Sequence, residues 1–247
     1  MNSKFNDNKY NLWGRKYPAI VCLTFPLLVI IYYFFDSLDD KMSQMTSVLK
    51  IILFFGSVIP SLFFFYMMTI RELSNIVIEN FLNWLFGKPT SNMLLPKFPL
   101  ISKECKEEIK KYLKEDGIEL DVNGKYNGND ANRRNRKYRH RVDEAVSMIK
   151  EEVRGDSILL EFNAVYGFFR NMTGGMLLNL LIWKLLNYLN TTFKCQCDTE
   201  LWWSLWVIVA LIVLGLFFAI TSRYRYAKRL LSLYCNIKKK GTQRQIQ

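Results

Sequence analysis

Long uncharged apolar blocks alternate with densely charged ones along this chain. Residues 17–35 (YPAIVCLTFPLLVIIYYFF) contain no Asp, Glu, Lys or Arg, and neither do residues 51–70 or 201–220. Each block has roughly the 20 residues that a helix needs to cross the hydrocarbon of a bilayer. A fourth stretch, residues 172–189, is apolar but holds Asn179, Lys184 and Asn187. The pattern predicts an all-α integral membrane protein. Two transmembrane hairpins, 17–70 (spans 17–35 and 51–70) and 166–220 (spans near 172–189 and 201–220), flank a small cytoplasmic helical domain over 71–165. Residues 1–16 and 221–247 are then basic cytoplasmic tails.

Within the central domain the periodicity turns amphipathic. The second span is expected to run on as a helix through RELSNIVIENFLNWLF, with Gly87 and Pro89 stopping it. Its apolar positions Ile76, Ile78, Phe81, Leu82, Trp84 and Leu85 oppose an acidic polar face, which favours packing on the central domain over lying on lipid. Ser102 reads as the N-cap of a helix over Lys103–Glu115 that ends at Gly117. Residues 131–153 read as a helix broken at Arg154-Gly155, and Asp156 or Ser157 caps the next helix, which enters the membrane. No stretch shows convincing strand alternation, and IELDV (118–122) is at most a short extended piece.

Charge changes the picture by giving it a direction. The formal net charge is +12. Of the 34 Lys and Arg residues, 4 lie in residues 1–16, 18 in 71–171 and 8 from Thr221 onward, whereas residues 36–50 and 190–200 hold only Lys41, Lys50 and Lys194. By the positive-inside rule both termini and the central domain face the cytoplasm of a cell whose inner membrane the chain crosses four times. The basic excess is thereby absorbed by topology and by acidic lipid headgroups, and no specific nucleic acid is implied. The basic start resembles a signal sequence, but DSLDD follows the first block instead of a small-x-small cleavage site, so a retained anchor is expected.

Two polar clusters interrupt the third span. At 100° per residue, Asn163, Gly167, Arg170 and Gly174 fall within about 60° of arc, and Asn171 adjoins them. Such a glycine-lined polar stripe lets another helix approach closely and bond to it. The plainer reading of Arg170 is a headgroup anchor. A second arc holds Thr173, Asn179, Lys184 and Asn187. It either faces water in an oligomeric pore or carries a lysine that snorkels outward. Four spans leave no room for a wide channel in one protomer, so the pore reading implies a homo-oligomer.

Catalytic chemistry is sparse. The sequence lacks HExxH, GxSxG and a Gly-rich phosphate loop, and no cofactor or metal is expected. RRNRKYRH (133–140) contains the single histidine. Arg134, Asn135 and His140 resemble the active-site motif of HEPN-type ribonucleases, which implies His140 as acid/base and Arg134 on phosphate. A solvated basic helix face accounts for the same residues. Five scattered cysteines argue against a disulfide framework. Cys195 and Cys197 sit one residue apart, where an internal bridge is strained, so free thiols or inter-subunit bridges are expected.

The phrase FNAVYGFFRNMTGG, following AVSMIKEEVRGDSILLE, resembles a pattern in bacterial four-pass membrane proteins associated with antiphage defence loci. The resemblance covers roughly residues 140–178. It implies an oligomeric, channel-like effector that perturbs the inner membrane when triggered, with a cytoplasmic defence protein or sensor as partner, and assigns no catalytic residue. The alternatives are a non-conducting anchor or sensor recruiting a cytoplasmic partner, and a membrane-tethered ribonuclease.

Overall fold

The computed structural model describes residues 11–24, 26–27, 59–95, 101–120, 133–193 and 200–245. Residues 25 and 28–35 of the first span, the start of the second, the polar segment expected as a loop at 122–130, and Cys195 and Cys197 lie outside the described residues. Every regular element among the described residues is helical, as the periodicity predicts. A π-helical turn, π1 (Leu12–Lys16), opens the helical residues 11–24. It is followed by α1 (Ile59–Leu73), a second π-helical segment π2 (Ser74–Glu79), α2 (Asn80–Phe86), α3 (Pro89–Leu94), α4 (Lys103–Glu115), α5 (Arg133–Glu152), α6 (Ser157–Phe193) and α7 (Glu200–Gln245). Two stretches, Pro60–Leu94 and Leu205–Lys240, are long and apolar enough to cross a membrane, and only 22% of the apolar window of each is buried within the protein. A core helix of a soluble protein would hide most of such a window. The described part of the first span ends at residue 27, and α6 is diluted by Asn179, Lys184 and Asn187.

The chain divides into two compact units, Met1–Leu82 with Ala164–Ile220, and Asn83–Asn163 with Thr221–Gln247. In the first unit, Ala19, Cys22, Leu23, Tyr66, Ile70, Met176, Trp183 and Ile208 form a buried cluster, and Ile78, Leu82 and Ala219 form a second. Its contacts fix strand-free helix directions. Gly14 meets Asn171 and Cys22 meets Asn179, so the first helix runs parallel to α6. Tyr66 meets Asn179 while Glu79 meets Arg170, so α1 and π2 run antiparallel to it. Gly215 meets Thr173 and Phe218 stacks on Phe169, so α7 is antiparallel as well.

In the second unit the core is Met93, Leu94, Ile109, Leu113, Val142, Ala145, Ile149, Leu230, Leu231 and Tyr234, with smaller neighbours. The expected punctuation is present. Gly87, Gly117 and Gly155 adopt positive φ, Ser102 Oγ accepts from Cys105 N at 3.2 Å, and Asp156 Oδ1 accepts from Leu159 N at 2.8 Å. Pro89 does more than stop a helix: it occupies the first turn of α3, where its missing N–H costs nothing. Asp143 of α5 binds that helix through Ser91 Oγ at 2.5 Å and Lys88 Nζ at 2.9 Å. Burial alone would raise its carboxyl, but the Ser91 and Lys88 hydrogen bonds and the charges of Lys88 and Arg139 outweigh it and hold the group below the usual carboxylate range. Residues 118–120 are irregular, not a strand. The stretch 71–86 does not pack on the central domain as expected: its buried apolar residues join a cluster of the first unit with Ala219, Tyr166 and Phe169. Ile78 and Leu82 are buried, but Ile76, Phe81, Trp84 and Leu85 are exposed, Trp84 to 79%. One helical face buries one row of residues, and these four lie off that row.

Candidate functional site

The site is the stretch of α6 from Arg170 to Asn179, and it is built around two prolines on another helix. In an α-helix each carbonyl accepts from the N–H four residues on. Pro18 and Pro26 have no N–H to give, which deprives the carbonyls of Gly14 and Cys22 of those donors. Asn171 Nδ2 donates to Gly14 O at 2.5 Å, and Asn179 Nδ2 donates to Cys22 O at 3.0 Å. Prolines eight residues apart on one helix are thus matched by asparagines eight residues apart on the parallel one. Asn179 also accepts from the Tyr66 hydroxyl and is fully buried. In an apolar surrounding this exchange is strongly specified, since a bare carbonyl has no water to turn to.

The flanking residues bring the other helices close. Arg170 Nη1 pairs with Glu79 Oε2 at 2.5 Å, with its side chain 15% exposed. Its guanidinium lies 5.5 Å from the centroid of the Tyr166 ring. Gly174 faces Ser74 so closely that an added Cβ would strike Ser74 Oγ and lie 3.3 Å from Ser74 Cα. A Cβ on Gly175 would meet Cys22 Sγ and sit 3.0 Å from Ile70 Cδ1, and one on Gly215 would sit 2.5 Å from Thr173 Oγ1. Ser74 begins π2 and Glu79 ends it, and Gly14 lies within π1. Wide π turns therefore occur at the two places where residues 170–174 dock.

The structure treats the two predicted clusters differently. Of the polar stripe, Gly167, Asn171 and Gly174 are buried and Arg170 is ion-paired. Asn163 is half-buried and belongs to the second unit. The second arc does not hold together as a water-facing surface within the protomer. Thr173 and Asn179 are fully buried, the former donating to Phe169 O at 2.8 Å. Asn187 is half-buried, and only Lys184 is exposed, beside Leu181, Leu185 and Tyr188. An arc read at a uniform 100° per residue ignores that three neighbouring helices cover most of this one.

His140 is exposed on α5, and the side chains of Arg134 and Asn135 lie outside the described residues. Among the described residues no group of three His, Cys, Asp or Glu side chains is placed to hold a metal ion. Sequence reasoning missed Tyr66, Ser74 and Glu79 as partners, and it missed the prolines as the cause. The shared spacing of eight, Pro18/Pro26 against Asn171/Asn179, was the available signal. No family model, curated protein or solved structure matches the chain.

Proposed function

We propose that the chain is a four-span inner-membrane protein with cytoplasmic termini, acting as a non-conducting anchor or sensor that presents its helical second unit to a cytoplasmic partner. The observation that carries this reading is that Asn171, Thr173 and Asn179 of α6 are buried and bonded inside the protomer. Asn171 and Asn179 complete the backbone of the first helix, and Arg170 is paired with Glu79. A pore needs such groups facing water. The parallel and antiparallel contacts of the first unit support the up-down-up-down order, and the Lys/Arg distribution supports the orientation.

The channel-like effector of antiphage defence is the second reading, favoured by one observation. Lys184 is exposed among Leu181, Leu185 and Tyr188 and makes no ion pair among the described residues, so in a homo-oligomer it would be the residue left to line a path. Two measurements test the proposal. Reporter fusions at Asp40, Lys125, Cys197 and the C-terminus should read outside, inside, outside, inside. A periplasmic signal at Lys125 overturns the topology. Overproduction should leave membrane potential and dye exclusion unchanged. Depolarisation that Lys184→Met abolishes would establish the effector instead.

A further inference from the structure

Cys105 on α4 and Cys235 on α7 are 130 residues apart in sequence, yet their sulfurs are 3.8 Å apart in the second unit. Both are free thiols. The pair is one rung of a series joining the two helices. Glu108 Oε2, one turn beyond Cys105, meets Lys239 Nζ, one turn beyond Cys235, at 2.9 Å. The ring of Tyr112, two turns beyond Cys105, packs edge to face on Tyr234, which precedes Cys235, with centroids 6.5 Å apart. Those neighbours hold the two sulfur-bearing turns in register. A disulfide bond is about 2.05 Å long, so the sulfurs need to close by about 1.8 Å, a distance shared between two side-chain rotations.

We propose that Cys105 and Cys235 are a reversible thiol–disulfide modification site whose co-reactant is a low-molecular-weight disulfide. Cys105 is half-buried and Cys235 is only 5% exposed, so Cys105 is the more accessible sulfur, which sets the order of events. The Cys105 thiolate attacks one sulfur of the external disulfide RSSR, forming a mixed disulfide and expelling one thiolate. The Cys235 sulfur then attacks Cys105 Sγ, forming the internal bond and expelling the second thiolate. The protein loses two protons and two electrons, and RSSR becomes two RSH. Bond formation ties α4 covalently to the C-terminal helix. In a reducing compartment such a bond is transient and reports oxidation.

The test uses the full chain in detergent or nanodiscs, with Cys195→Ser and Cys197→Ser to remove the adjacent pair. Glutathione disulfide is the probe. Of the three remaining thiols, Cys22, Cys105 and Cys235, maleimide counting after oxidation should find one. Peptide mass mapping should find Cys105 linked to Cys235, with the monomer retained on a non-reducing gel and both thiols restored by dithiothreitol. Cys235→Ser should arrest at a stable glutathione adduct on Cys105, and Cys105→Ser should give neither adduct nor bridge. The proposal is overturned if the chain with both cysteines also stops at the adduct. It is equally overturned if Cys105 reacts only after denaturation, or if oxidation yields inter-chain dimers.

Discussion

The proline–asparagine match predicts a rescue that no additive scheme produces. Asn179→Leu removes the donor to Cys22 O and the acceptor of the Tyr66 hydroxyl in one step. A buried polar group left without a partner costs about 1–3 kcal/mol, whereas interhelical hydrogen bonds in a membrane protein average about 0.6 kcal/mol. Two such groups put the loss between about 1.2 kcal/mol at the membrane average and about 2–6 kcal/mol at the full desolvation cost, a shift of at least about eightfold in the folding equilibrium. Pro26→Ala supplies a backbone N–H four residues beyond Cys22, so in the Asn179→Leu background it should return the Cys22 share, about half of the loss. Tyr66→Phe in that background should return most of the remainder. Unfolding in mixed micelles titrated with SDS reads all the variants on one scale. Additivity of Pro26→Ala and Asn179→Leu within about 0.5 kcal/mol, the tolerance for uncoupled sites, would refute the reasoning, because the two side chains would then not be serving one carbonyl.

Three further outcomes follow from the geometry. Gly174→Ala should destabilise the first unit by about 1 kcal/mol, an overpacking cost of about 2 less about 1 gained in helix propensity; Ser74→Ala should relieve part of it in the same SDS titration, and stabilisation by Gly174→Ala in both backgrounds would show that the helices do not touch there. Arg170→Lys should cost stability while leaving membrane insertion unchanged, since the ammonium loses the planar contact with Tyr166 while keeping the charge; a silent Arg170→Lys would return that residue to a headgroup anchor. Because the carboxyl of Asp143 is held below its ordinary value in the fold, its contribution is present above about pH 4 and is lost as the pH falls through the lowered value. Thermal melts of Asp143→Asn should therefore lose pH dependence in that range, and an unchanged slope would show that the Ser91 and Lys88 contacts do not persist in solution.

Much of the second unit was legible because its signals are local. Ser102, Gly117, Gly155 and Asp156 each act within a few residues of themselves, and each marks the helix end that the structure shows. The docking of residues 170–179 was legible only in part. A helical wheel places Gly174 and Arg170 on one face, but it cannot say that Ser74 and Glu79 come to meet them. The wheel could not show that Asn179 is buried against the first helix, because an asparagine in an apolar run has no evident partner until the helix bearing Pro26 is set beside it. The Cys105–Cys235 approach had no local trace at all, since 130 residues of intervening chain carry no information about which turn of α4 faces which turn of α7.

The second π segment carries a consequence for insertions and deletions. Ser74 and Glu79 are five residues apart, which on an ordinary α-helix would set them about 140° apart at 100° per residue. An i→i+5 turn brings residues five apart onto one face, so both can reach Gly174 and Arg170, which are four apart on a regular helix. Removing one residue between them would repair the local helix and improve its backbone geometry. It would also set Ser74 and Glu79 four residues apart, about 40° apart at 100° per residue, so Glu79 would keep facing Arg170. An added residue would instead set them six apart, about 120° off on a regular helix, so this stretch should accept loss of one residue and resist gain of one.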